Sequence, residues 1–166
     1  MLKNWMFALA LATTPMLTTA AHAGYTKEEL KLEKAEVKYA KTVSKKVGKL
    51  AKKWHKNDEK GKDNADVEAD LKQYYKDELA MLRAKGVEAK DNEPNMDHPA
   101  HREKVMEEPE EEMPKLEELR DDIVALKGGD LKDKAYGKRL DEYVVRLEAR
   151  YERKAERYKE HKKDKE

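Results

Sequence analysis

The sequence predicts an all-α chain in which four amphipathic helices pair as two antiparallel hairpins, giving a four-helix-bundle-like domain behind a leader. Three observations carry that prediction. Apolar residues recur at spacings of three and four in four separate stretches, no stretch alternates with a strand's period of two, and Gly, Pro, Asn and Asp punctuate the stretches. The 166 residues allow one domain, two at most. The absence of cysteine excludes a disulfide scaffold, a thiolate zinc site, an iron–sulfur cluster and a cysteine nucleophile. With 37 basic and 36 acidic residues the signs are interspersed, whereas a general nucleic-acid binder needs a clear basic excess.

Residues 1–23 read as a secretory signal peptide. Lys3 gives a positive start, Trp5 to Ala12 an apolar run, and Ala21-His22-Ala23 a small-x-small cleavage site. Pro15 and four threonines cut the run well short of the about 20 apolar residues that cross a bilayer. This segment implies a periplasmic or secreted protein whose mature part has 36 charges of each sign. Val, Ile, Leu, Met and Trp then number 27 among residues 24–166, a lean supply for a core, so order has to rest on periodicity.

The first helix begins at a capping box, Thr26-Lys-Glu-Glu29, and runs to Lys60-Gly61. Val37, Ala40, Val43, Val47, Leu50 and Trp54 make one face, and Lys34, Lys38, Lys41, Lys45, Lys49, Lys52 and Lys56 the other. The second helix starts near Asn64, buries Val67, Leu71, Tyr75, Leu79 and Leu82, and stops at Lys85-Gly86. An acidic linker rich in Pro, His and Met covers 87–113, within which Asp97–Pro99 suits a further helix start. The third helix begins near Pro114, uses Leu116, Leu119, Ile123 and Leu126, and ends at Gly128-Gly129. The fourth is capped by Asp130 and carries Tyr136, Leu140, Tyr143, Val144, Leu147, Tyr151, Ala155 and Tyr158 in a near-heptad, coiled-coil-like stripe. The domain spans 24–160, and 161–166 forms a charged, disordered tail.

Charge is unevenly distributed along the chain. Residues 27–62 hold 13 lysines and 6 acids, whereas 88–122 hold 14 acids and 5 bases. Lys38, Lys41, Lys45, Lys49 and Lys52 therefore form a candidate partner-binding surface for an anionic surface or an envelope protein. Glu107, Glu108, Glu110, Glu111 and Glu112 form a second one, suited to a basic partner or to loose calcium binding; they lack an EF-hand loop pattern. A solvated face is the bland reading of both.

The cluster with most chemical content is Met96, His98, His101 and Met106, since thioether and imidazole together suit copper. The more economical reading is a helix start with solvated polar groups and gap-filling methionines. The tyrosine stripe reads as core rather than ligand groove, and His55 and His161 as exposed. No Ser-His-Asp order, phosphate loop or H-E-x-x-H pattern is present, so no enzyme is expected.

A leader, four helices and the Gly-Gly-Asp-Leu-Lys-Asp turn at 128–133 before a tyrosine-rich last helix resemble, in layout, the small periplasmic b-type cytochromes. The resemblance is strongest over 114–158. It implies a four-helix bundle holding haem between a methionine early in helix 1 and a histidine near the end of helix 4. Here helix 1 has no methionine, and Tyr151-Glu152 stands where a Tyr-His pair belongs, so the scaffold is what carries over. The expectation is a non-enzymatic helical binding or scaffold protein, with a copper- or haem-binding protein as the alternative.

Overall fold

The computed structural model describes residues 25–88 and 106–164; the leader and the helix start expected at Asp97–Pro99 lie outside them. Among the described residues all regular structure is helical, with no membrane-spanning helix. Four α-helices, α1 (Lys27–Glu59), α2 (Ala65–Ala84), α3 (Met113–Lys127) and α4 (Lys134–Lys163), are joined by tight turns and, before α3, by the 3-10 turn Glu110–Glu112.

Each helix boundary has a local cause. At α1 the capping box forms as read: Thr26 Oγ1 accepts from the Glu29 N–H at 3.1 Å, and the Thr26 N–H donates to Glu29 Oε2 at 2.7 Å. Gly61 (φ 60°) and Gly86 (φ 87°) take the left-handed conformation that ends α1 and α2. Asn64 occupies the N-cap of α2, but its side chain accepts from Asn57 at 2.9 Å, and Asp63 Oδ1 takes the free Ala65 N–H instead. Asp130 does not cap α4. Its carboxylate and carbonyl close a turn onto the Lys132 and Asp133 N–H groups, and Asp133 caps the helix by accepting from Ala135 at 2.9 Å.

The four helices are compatible with a bundle. At about 1.5 Å per residue, α1 and α4 are about 50 and 45 Å long, against about 30 Å for α2 and 22 Å for α3. α1 runs antiparallel to α4, with Trp54 beside Tyr136 at one end and Tyr25 stacked on His161 at the other. α1 packs also on α2, and α3 on α2 and α4, whereas the backbones of α1 and α3 nowhere approach closely and the two so occupy diagonal corners. Between them lies a core containing Trp54, Leu71, Tyr75, Ile123, Leu140 and Tyr143, all at most 1% exposed.

The α1–α4 seam explains where sequence and structure part. On α1 it follows Trp54, Leu50, Val47, Val43, Ala40, Glu36 and Glu33; on α4 it follows Tyr136, Leu140, Tyr143, Leu147, Arg150, Lys154, Arg157 and His161. The spacing of three and four never breaks, but the residues change from apolar to acidic on α1 and to basic on α4. The stripe through Tyr151, Ala155 and Tyr158 therefore flanks the contact, each half-buried, while Arg150 and Lys154 are buried. For the same reason α4 does not end at 160. It continues to Lys163, because His161 sits against Tyr25 and Glu33.

Candidate functional site

Two charged arrangements stand out, one inside the bundle and one on its surface. The inner one is a closed ring in which two lysines and two glutamates alternate. Lys85 Nζ lies 2.7 Å from Glu36 Oε1 and 2.9 Å from Glu108 Oε1, while Lys154 Nζ lies 2.8 Å from Glu36 Oε2 and also pairs with Glu108. The four side chains come from α1, the C-cap of α2, α4 and the segment before the 3-10 turn, and none is more than 11% exposed. The backbone of Met106 joins the ring, its N–H donating to Glu36 at 3.2 Å and its carbonyl accepting from Lys85 at 2.9 Å. Residues 106–109 are thereby strapped across the end of the bundle. Outside the ring, Arg157 reaches Glu108 at 3.4 Å and Glu33 at 3.7 Å, and His161 Nδ1 bonds Glu33 at 2.6 Å.

Burial pushes both ring carboxyls up, but Lys154 and Lys85 outweigh it; Glu36 is held below the ordinary glutamate range and Glu108 is held at about 2. Burial and the neighbouring Lys85 lower the Lys154 ammonium, and Glu108 and Glu36 resist that shift. A second layer lies one turn deeper, where Arg150 pairs with fully buried Glu78 and the Tyr39 hydroxyl donates to the same carboxylate at 3.0 Å. Beyond it the Tyr74 and Tyr143 hydroxyls share a 2.5 Å hydrogen bond inside the core. A cleft of about 310 Å³ beside the ring is lined by Arg153, Arg157 and His161 among others, and these are already bonded to Glu112, Glu108 and Glu33.

The outer arrangement is a ridge of lysines on α1. Lys27, Lys31, Lys34, Lys38, Lys41, Lys45, Lys49, Lys52 and Lys56 are all exposed. At 100° per residue they fall within an arc of about 80°, over a length of about 44 Å. Between Val37 and Asn57 the helix has eight lysines and no acid. Among described residues none of Lys38, Lys45, Lys49 and Lys52 pairs with a carboxylate, and Lys41 lies 5.7 Å over the Tyr151 ring. Lysine heads in water with stems along the helix need no partner for folding.

Of the residues singled out from sequence, Lys38, Lys41, Lys45, Lys49 and Lys52 thus share one surface. Glu107, Glu110 and Glu111 are exposed as expected, and Glu112 is half-buried against Arg153 and Lys115. Glu108 is not a surface residue. Its side chain is 2% exposed, because two inward-pointing lysines need a second carboxylate besides Glu36. Met96, His98 and His101 lie outside the described residues, and Met106 is half-buried with its backbone in the ring. Among the described residues no group of three or more His, Asp or Glu is placed to hold a metal ion.

Sequence reading missed Glu33, Glu36, Glu78, Lys85, Arg150 and Lys154. A signal was there: on α1 and α4 these charges sit in phase with the apolar residues before and after them. No protein-family model matches the chain, and no curated protein and no solved structure does either.

Proposed function

We propose that the chain is an exported, non-enzymatic helical protein that works by binding, and that the lysine ridge of α1 is the surface that meets an anionic partner. The observation that carries this reading is the sorting of charge. Charges at seam positions pair inside the bundle, whereas the ridge lysines stay outside and, among the described residues, pair with no carboxylate. The leader-like residues 1–23 support export to the periplasm or beyond. Exposed Glu110 and Glu111, in the 3-10 turn that packs on α3, offer a second, acidic surface diagonal to the ridge, and Glu107 is exposed on the strap before them.

Retention on a sulfonate matrix at low salt tests the reading. The net charge of +1 gives little reason for a protein to stay on such a matrix unless its cations are concentrated on one face. The parent chain is expected to bind and to elute as salt rises, and a variant with Lys38, Lys45, Lys49 and Lys52 changed to Gln to wash through. Equal retention of parent and variant would overturn the assignment of the surface.

A further inference from the structure

We infer that the ridge docks the protein lengthwise on an anionic lipid bilayer, by charge alone and without insertion. This deepens the charged-surface reading and rests on it. A plane touches a rod along one line, and the nine lysines occupy one narrow stripe of α1, about 44 Å from end to end. α1 stands at a corner of the bundle, its neighbours α2 and α4 receding on either side, so a flat surface meets the ridge before anything else.

The remaining faces fit the same partner. The apolar side of α1, Val43, Val47, Leu50 and Trp54, is committed to the core, so no greasy face is left to enter the acyl region. Among the described residues the exposed large apolar side chain is Val145, on α4. Exposed Glu110, Glu111 and Glu117 lie on α3 and the 3-10 turn packed against it, the corner diagonal to the ridge, whereas Glu118 and Asp121 there are paired with Arg146 and Arg120. In the field of a negatively charged plane, a molecule with cations on one corner and acids on the opposite one is turned ridge-down. A free linear polyanion supplies the same charge but makes no use of that opposition.

The test is co-sedimentation of the full chain with phosphatidylglycerol–phosphatidylcholine vesicles, with phosphatidylcholine vesicles and soluble polyphosphate as further arms. Lys38, Lys45, Lys49 and Lys52 are changed to Gln in one variant, and Lys62, Lys132, Lys134 and Lys159, exposed elsewhere, in a control of equal charge. The parent and the control are expected to bind the anionic vesicles and to be released by salt. The ridge variant should lose about fivefold in partitioning for each lysine removed, which takes it below detection. Binding of the parent to phosphatidylcholine vesicles as strong as to the anionic ones would overturn docking by charge alone. No binding to anionic vesicles, or equal loss in both variants, overturns the inference. Ridge-dependent binding of polyphosphate without vesicles overturns the lipid assignment and leaves the charged-surface reading standing; no ridge-dependent binding to either sinks both.

Discussion

Gly48 and Gly137 both lie within helices of the α1–α4 pair, and the same substitution at each should have opposite effects. An alanine Cβ at Gly48 would sit 3.7 Å from Val144 Cγ1, an ordinary contact, so Gly48→Ala gains the helix propensity of alanine, about 1 kcal/mol. At Gly137 the Cβ would fall 2.3 Å from Trp54 Cζ3 and 2.7 Å from Cη2, far inside the about 3.5–4.0 Å of carbon contact. Trp54 cannot swing aside cheaply. It is 1% exposed, packs near Tyr136, and its indole N–H donates to the Leu131 carbonyl at 3.1 Å. Overpacking of this kind costs about 1–3 kcal/mol, and a lost indole hydrogen bond about 1 more, against the same propensity gain of about 1. A net loss of about 1–3 kcal/mol follows for Gly137→Ala. Urea unfolding followed by circular dichroism reads both, each kcal/mol moving the midpoint by about 0.5 M at an m-value of about 2 kcal/mol/M. A midpoint for Gly137→Ala at or above the parent's would refute the close α1–α4 packing.

Other outcomes follow from the buried polar groups. Glu108→Gln leaves Lys85 and Lys154 sharing one ring carboxylate and should cost about 3 kcal/mol in urea unfolding, whereas replacing Glu36, Lys85, Glu108 and Lys154 together by apolar residues should cost less than that single change. Because the Glu108 carboxyl is held at about 2, below the ordinary 4.5, its contribution is complete above pH 4.5 and lost as pH falls through about 2. That difference amounts to roughly 3 kcal/mol, so thermal melts should show stability falling across this window and a shallower fall in Glu108→Gln. Tyr74→Phe strands the buried Tyr143 hydroxyl at a cost of about 1–3 kcal/mol, and adding Tyr143→Phe should cost less than the sum of the single changes, as a double-mutant cycle will read.

Much of the fold was legible because the apolar stripes are regular: every stripe residue read for α2 and α3 is buried, and the α1 capping box forms as expected. The charged half of the α1–α4 seam was not read, because a glutamate or lysine in phase with leucines looks like the end of a stripe when one helix is considered alone. Glu33 and Glu36 gain their meaning from Arg157, His161 and Lys154, which lie 118 to 128 residues away. Glu108 was misplaced for a related reason: its neighbours Glu107, Glu110 and Glu111 are exposed, and nothing local marks it as the one turned inward. The ridge, by contrast, was visible in sequence, since its spacing is a property of one helix. Asp130, the cap expected from sequence, is displaced by Asp133 because its own carboxylate and carbonyl are engaged in closing the turn before the helix.

Charge in this protein is sorted by position: in-phase charges lie inside and paired, and ridge lysines lie outside with no carboxylate partner among the described residues. Competitive acetylation of the folded protein, read lysine by lysine by mass spectrometry, tests this most directly. Lys38, Lys45, Lys49 and Lys52 should react at the rate of lysines in the denatured chain, and Lys85 and Lys154, 1% and 7% exposed, should resist until the protein unfolds. Labelling of Lys85 and Lys154 as fast as Lys45 would contradict the buried ring, and with it the division between a closed interior and an open, cationic edge.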